Sequence, residues 1–189
     1  MPRPPRVNVA NGVYHVTARG NRKQPICLED DDYRLLLRLL DNVAGRQRWH
    51  CLAFCLMTNH YHLVLRTPNA DLSVGMHRLN SAYAHWFNER HGFAGHVFQK
   101  RFHAVLVESD SHLLELSCYL ALNPVRAGLC SDPRAWRWSS YNAMLGAPKA
   151  VACLAVEEAL SYFAREPEQA RKAFERFVGD RVAQAPLGA

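Results

Sequence analysis

The stretch Leu56–Leu65 reads LMTNHYHLVL, and the rest of the chain is interpreted outward from it. It contains a short Thr58-Asn59 turn that leads into an apolar, β-favouring run. Because side chains of a strand alternate between two faces, His60 and His62 are predicted to project from the same face of a sheet. Two neutral imidazoles on one strand can hold a divalent ion and leave coordination positions for water or substrate oxygens. The stretch therefore predicts a metal-binding strand.

Two other interpretations of this stretch stay open. A histidine-aromatic-histidine triplet also arises by chance, and the chain has ten histidines, which are more often surface or hydrogen-bonded core residues than ligands. A structural zinc site is the second alternative, with the ligands Cys51, Cys55, His60 and His62. Its spacing lacks a CxxC knuckle, which favours buried thiols on the preceding strand instead.

The surrounding patterns predict a ferredoxin-like order of elements. Apolar alternation and helical periodicity place strands at 12–21, 49–57, 60–65 and 102–108, and helices at about 30–47 and 72–90. The order β-α-β-β-α-β indicates an α+β fold in which both helices cover one face of a four-stranded antiparallel sheet. The first and third strands are central in that layout, so the histidine pair is expected on a stiff inner strand.

Further elements follow this unit. A third helix is predicted to begin at Ser109 or Asp110 and to end at Asn123-Pro124. An irregular aromatic segment at 133–141 and two helices at 155–163 and 167–181 come after it. We expect an irregular arm at 1–11, a main domain at 12–145, and a helical appendage with a loose tail at 146–189.

Charge and cysteine content bound the class of protein. Lys and Arg outnumber Asp and Glu by 23 to 17, a balance that favours a polyanionic partner without deciding it. The six cysteines show no disulfide spacing, and the amino terminus lacks the apolar run of a signal peptide. No stretch approaches the ~18 apolar residues of a membrane span. We therefore expect a cytoplasmic protein with reduced thiols.

The third helix carries a second pair of reactive groups. Tyr119 and Asn123 lie four residues apart and so share one helix face. A tyrosine can act as a covalent nucleophile, and an amide oxygen can complete the coordination shell of a metal. Taken singly, Tyr119 is as readily a half-buried packing residue, and Asn123 a residue that ends a helix before proline.

Together these motifs resemble a known family. LMTNHYHL at 56–63 and YLALNPVRAGL at 119–129 are similar to the motifs of single-tyrosine HUH transposases, specifically the REP-associated tyrosine transposases of bacteria. YHVTARGN at 14–21, GHVFQKRF at 95–102 and WRWSSY at 136–141 match in the family's order. The resemblance identifies residues 12–145 as an HUH transposase-like catalytic domain. Lys100 and His103 depart from the common pattern, which puts substrate detail in doubt rather than the chemistry.

The resemblance implies a role for each matched residue. His60, His62 and Asn123 would bind Mg²⁺ or Mn²⁺, and Tyr119 would cleave single-stranded DNA through a 5′-phosphotyrosine link that a 3′-hydroxyl can reverse. The expected substrate lies next to hairpins formed by repetitive extragenic palindromes. A nucleoid-associated monomer is expected, with a dimer as the alternative. The runner-up function is a non-catalytic DNA-binding regulator on the same fold.

DNA contacts are expected from basic residues in turns or at motif ends, with solvated surface charge as the alternative. They are Arg19, Arg22, Lys23, Lys100, Arg101 and Arg126. Trp136, Trp138 and Tyr141 either stack on bases or, as we favour, cap the core. His15 and His103 are candidates to help deprotonate Tyr119, or else DNA contacts or plain surface residues.

Overall fold

The computed structural model describes residues 9–182. Its strands are β1 (Gly12–Arg19), β2 (His50–Leu56), β3 (His60–Thr67) and β4 (His103–Leu106). Its helices are α1 (Asp30–Gln47), α2 (Leu72–His91), α3 (Asp110–Arg126), α4 (Tyr141–Met144), α5 (Val156–Ser161) and α6 (Pro167–Val182), with 3₁₀ turns at Asn21–Lys23 and Pro133–Ala135. Most of the predicted arm, at 1–8, and the predicted tail, at 183–189, lie outside the described residues.

The four strands form one antiparallel sheet in the order β2-β3-β1-β4. This confirms the predicted α+β, ferredoxin-like layout and the inner positions of β1 and β3. Met57 donates its backbone N–H to the His60 carbonyl at 2.8 Å and closes the β2-β3 hairpin. In the β1-β3 register, Arg19 lies opposite His60 and Thr17 lies opposite His62. The histidine pair therefore sits on a strand that is held from both sides.

Helices α1 and α2 cover one face of the sheet. Leu36 and Leu40 of α1 and Leu79 of α2 surround Tyr61 and Leu63 of β3. Each of these side chains is at least 98% buried, and burying a leucine contributes roughly 1.5–3 kcal/mol. Because Tyr61 and Leu63 alternate with the two histidines, the imidazoles point to the opposite face.

Helix α3 lies on that opposite face, and it is longer than predicted. The expected end at Asn123-Pro124 is wrong, because the helix runs through Pro124 to Arg126. A proline removes only its own N–H and disturbs the preceding turn. The carbonyls of Asn123 and Pro124 still accept from the N–H groups of Ala127 and Leu129. The last turn therefore forms, and Asn123 keeps helical geometry in line with Tyr119.

The aromatic segment after α3 caps the core, as favoured. The Trp138 ring stacks on Tyr33 of α1 with centroids 4.6 Å apart, and the Trp136 indole N–H donates to the Leu56 carbonyl at 3.0 Å. Tyr141 is 4% exposed and begins α4, a short helix that the sequence pattern did not predict. These aromatic side chains therefore pack against other parts of the protein.

The two predicted C-terminal helices are confirmed as α5 and α6. Phe174 and Val178 of α6 and Leu160 of α5 are buried in the same apolar cluster as the sheet. The division of the chain at residue 145 stays a prediction. All six cysteines are free thiols, four of them buried. Within residues 9–182, every helix is too short or too polar to cross a membrane.

Candidate metal and tyrosine site

The two β3 histidines form the centre of the candidate site. Their ring centroids are 5.0 Å apart and their planes meet at 80°. Burial lowers the pKa of His62 to about 3, and the neighbouring His60 and His15 rings add to the effect. Burial, with Arg19 nearby, lowers the pKa of His60 to about 4. Both rings are therefore neutral at neutral pH, which is the form that binds metals.

His62 is held through both of its ring nitrogens. Its Nε2 lies 3.1 Å from the Asn123 amide nitrogen, and its Nδ1 lies 2.9 Å from Nε2 of His15. An amide nitrogen only donates, so Nε2 of His62 accepts, and the single proton of the neutral ring is on Nδ1. That N–H then donates to His15. The lone pair of His62 accordingly points at Asn123.

His60 has the same arrangement with a different partner. Its Nδ1 lies 2.7 Å from Oδ1 of Asn59, and the Asn59 amide nitrogen donates to the Lys23 carbonyl at 3.1 Å. Because Oδ1 only accepts, Nδ1 carries the proton and Nε2 keeps the lone pair. Both rings are thus fixed through Nδ1, as metal-ligating histidines usually are.

The donor set fits a divalent ion. Adjacent ligands of an octahedral ion with bonds of about 2.1 Å lie about 3 Å apart, close to the 3.1 Å between His62 Nε2 and the Asn123 amide. A half-turn of that amide exchanges its nitrogen for Oδ1, which can coordinate. Two imidazole nitrogens and one amide oxygen leave positions for water or phosphate oxygens. His60, His62 and Asn123 could therefore hold Mg²⁺ or Mn²⁺.

Tyr119 completes the cluster from α3. Its ring lies edge-on to His62, with centroids 5.5 Å apart, and edge-on to His15 at 6.4 Å. Tyr119 is 39% exposed, so its ring is accessible from solvent. The Arg126 guanidinium lies 5.6 Å from the centroid of the Tyr119 ring. One site therefore collects a phenol, two imidazoles and an amide from β3 and α3.

Comparison with known proteins identifies the family of the chain. Residues 8–122 match the family model described as "Transposase IS200 like", which is more than half of the chain and includes His60, His62 and Tyr119. The chain belongs to the IS200-like transposase family. Comparison with curated proteins gives no match.

This IS200-like transposase shares its fold with a solved structure. It is similar to a REP-associated tyrosine transposase bound to a REP hairpin, with a TM-score of 0.65, 19% identity, and coverage of 77% of this chain and 86% of that one. A putative transposase from Deinococcus radiodurans R1 gives a TM-score of 0.44 and 17% identity over 60% of this chain and 92% of that one. The first of these matches supports the ferredoxin-like assignment.

The predicted basic residues of the transposase are exposed and fall into two groups. Arg19, Arg22 and Lys23 lie at the end of β1 and in the turn after it, and Lys100 and Arg101 lie in the loop before β4. The two segments are joined, because Asn21 donates its N–H to the Val97 carbonyl at 2.8 Å and Gln99 donates to the Arg19 carbonyl at 2.9 Å. Arg126 lies apart from them, beside Tyr119.

A second group of metal-type side chains has a structural role. Among the described residues, Glu29, Asp32 and His91 form the single group of three or more His, Cys, Asp or Glu side chains close enough to share an ion. Asp32 already accepts from the N–H groups of Leu28 and Glu29 and contacts His91, while Glu29 pairs with Arg90. These bonds tie the start of α1 to the end of α2.

The zinc alternative is wrong. Cys51, Cys55, His60 and His62 do not converge into a group that could share an ion within residues 9–182. The Cys55 thiol contacts Met57 Sδ at 3.6 Å, and the Cys51 thiol contacts the Ala53 carbonyl at 3.5 Å. Both thiols are buried, as expected of strand β2 packing residues.

The sequence did not predict the contacts of two residues of the site, His15 and Asn59. From the sequence, His15 is expected only as a helper for Tyr119, a DNA contact or a surface residue, and Asn59 only as a turn residue. Strand alternation places His15 on one face of β1, but the β1-β3 register decides that this face meets His62. His103 is exposed on β4, opposite Thr17 of β1, and β1 lies between β4 and the histidine strand β3.

Proposed function

We propose that this transposase cleaves and rejoins single-stranded DNA beside a hairpin, through a 5′-phosphotyrosine intermediate on Tyr119. His60, His62 and Asn123 would hold the Mg²⁺ or Mn²⁺ ion. The observation that carries the proposal is the contact of Tyr119 with His62, at 5.5 Å between ring centroids, on the helix whose Asn123 bonds to the same histidine.

The proposed reaction balances without another reagent. The phenol oxygen of Tyr119 attacks phosphorus, the bond from phosphorus to the 3′ oxygen breaks, and the proton lost by the phenol is matched by one gained at the 3′ oxygen. Attack by a 3′-hydroxyl on the phosphotyrosine reverses the step and rejoins the strand. When bound, the ion supplies Lewis-acid stabilisation of charge on the phosphate oxygens.

Residues of the chain position the reacting groups. The Arg126 guanidinium beside the Tyr119 ring places positive charge where the phenol and phosphate meet. His15 has its Nε2 occupied by His62, so we assign it a positioning role rather than that of a base. Asn59 orients the His60 ring in the same way, by accepting a hydrogen bond from its Nδ1. Fixed imidazoles avoid reorganisation when the ion and the phosphate bind.

The proposed partner is hairpin-bearing single-stranded DNA, as formed by repetitive extragenic palindromes. The similar solved transposase is bound to a REP hairpin, and the exposed basic residues around the β1 turn and the loop before β4 suit phosphate contacts. Tyr119 lies beside His62 of its own chain, at 5.5 Å between ring centroids, which supports a working monomer.

The experiment is a cleavage assay on a labelled hairpin with single-stranded extensions, run with Mg²⁺ or Mn²⁺. We expect a covalent protein-DNA adduct on a denaturing gel, its loss with chelator, and its loss in Tyr119→Phe. The variant should still bind the DNA, because the ring remains. Hairpin binding without an adduct in the wild-type chain would reject the proposal and favour a DNA-binding regulator.

A further inference from the structure

A cavity of about 420 Å³ lies beside the turn that follows β1. Its walls are the turn at 21–28, the end of α2 and the loop at 93–97. Phe87, Phe93, Leu28 and Pro25 supply an apolar side, while Asn21, Arg22, Gln24, Asn88 and His96 supply polar groups. The volume falls within the roughly 300–1,000 Å³ of small-molecule sites. No step proposed above uses this cavity.

Two large apolar side chains are exposed at the cavity. Phe93 is 54% exposed and Leu28 is 52% exposed, although each lines the cavity wall. Contiguous exposed apolar patches rimmed by polar residues mark interaction sites and ligand-binding grooves. The Phe93 ring lies 5.9 Å from the buried Phe87 ring, which supports it from behind. Phe93 thus offers an aromatic face to a ligand.

The loop that carries Phe93 is held in place. Phe93 donates its N–H to the Asn88 carbonyl at 2.9 Å, and Asn21 donates its N–H to the Val97 carbonyl at 2.8 Å. The Asn88 side-chain amide donates to the Gly95 carbonyl at 2.9 Å. These bonds join α2, the loop and the β1 turn. The cavity is therefore preformed.

The rim of the cavity is positively charged. Arg22 lines it and Lys23 follows, and both have left-handed backbone conformations, with φ of 53° and 62°. Side-chain-bearing residues adopt that region rarely, and such strain clusters at functional sites. An anionic ligand with a flat apolar part matches this combination of basic rim and aromatic wall.

The turn also connects the cavity to the metal and tyrosine site. Asn59 accepts the Gly20 N–H at its backbone carbonyl, at 2.8 Å, and donates its side-chain amide to the Lys23 carbonyl. The same side chain accepts from His60. One asparagine therefore links the basic rim to a candidate metal ligand.

We infer that this cavity binds an unpaired nucleobase of the single strand that runs between the hairpin and the scissile phosphate. The base would stack on Phe93 with its apolar edge against Leu28, and its polar edge would meet Gln24 or His96. Arg22 and Lys23 would contact the flanking phosphates. The inference rests on the proposed function, and it adds a place where the transposase reads the sequence of the single strand.

The first test measures DNA affinity by fluorescence anisotropy with the full chain. Phe93→Ala removes the ring on which the base would stack, so this variant should bind an extended hairpin roughly fivefold to a hundredfold more weakly than the wild type. Phe93→Trp should keep the wild-type affinity because it retains an aromatic ring. Binding of the same hairpin without extensions should not change. Val74→Ala is the matched control, because Val74 is also 52% exposed on α2 but does not line the cavity. Circular dichroism checks the fold of each variant.

The second test replaces the extension nucleotides one at a time by abasic residues. At the position that fills the cavity, the wild-type chain should lose affinity and Phe93→Ala should lose nothing further. Wild-type affinity of Phe93→Ala, or equal sensitivity of both proteins at every position, would overturn the inference. If the Tyr119 adduct forms meanwhile, the proposed function survives that result. Absence of both adduct and hairpin binding in the wild type would reject both proposals.

Discussion

Nδ1 of His62 lies 2.9 Å from Nε2 of His15, so an imidazole on β1 holds the orientation of an imidazole on β3. The two rings stack with centroids 5.2 Å apart and planes 19° apart. On the other side, Asn123 of α3 reaches His62 Nε2. One histidine therefore links the sheet to the tyrosine helix, and its neighbours on both sides can be tested.

Removing His15 should loosen His62, the proposed metal ligand, without unfolding the chain. For His15→Ala we expect Mn²⁺ affinity to fall roughly tenfold to a hundredfold, as loss of an orienting partner usually causes. His15→Gln should recover much of it, because its Oε1 can accept from His62. Isothermal titration with Mn²⁺ measures the effect independently of cleavage. His85→Ala, at an 85% exposed side chain, is the control, and unchanged affinity in His15→Ala would contradict the assigned role.

The buried histidines should make stability fall in mild acid. The folded-state pKa is about 4 for His15 and His60 and about 3 for His62, against about 6.5 when unfolded. Their stabilising contribution is thus complete above pH 6.5 and is lost as pH falls toward 4. Each ring lowers the free energy of unfolding by up to about 1.4 kcal/mol per pH unit in that window.

Urea unfolding between pH 7.5 and 4.5 measures this dependence. The double variant His60→Gln, His62→Gln is the comparison, and its stability should fall less steeply because two of the three rings are gone. Equal slopes for the two proteins would show that these rings do not control the acid response.

The basic turn after β1 should contribute to DNA binding through charge. Arg22→Gln and Lys23→Gln should each reduce the slope of log affinity against log salt by about 0.7, the value for one phosphate contact on single-stranded DNA. Affinity titrations of an extended hairpin at several salt concentrations give the slope. Lys149→Gln removes an exposed charge outside the basic turn and should leave the salt slope unchanged. If Lys149→Gln reduces the slope as much as Arg22→Gln and Lys23→Gln do, the effect comes from the net charge of the protein and not from phosphate contacts of the turn.

Trp138 should matter to stability and not to DNA binding. Its ring stacks on Tyr33 inside the protein, so Trp138→Ala should lower the free energy of unfolding by about 2–3 kcal/mol. Thermal and urea unfolding measure the loss, with Lys172→Ala, at an exposed residue of α6, as the comparison. DNA affinity per folded molecule should stay at the wild-type value. A large loss of affinity in a well-folded Trp138→Ala chain would restore the base-stacking alternative.

The sequence by itself determined the elements of this fold and the local geometry of each functional pair. Alternation with period two places His60 and His62 on one face of β3, and helical periodicity places Tyr119 and Asn123 on one face of α3. Both relationships depend on residues a few positions apart. Apolar patterning likewise predicted the strand and helix order.

Only the tertiary structure decided which of these faces meet. The register of β1 against β3, the passage of α3 through Pro124, and the side of the sheet that α3 covers arise from packing between distant residues. The contacts of His62 with His15 and Asn123 follow from them. The role of Asn59 and the cavity at Phe93 depend on other contacts between segments that are distant in the sequence. Local pattern sets where a side chain points along its own element, whereas long-range packing selects its partner.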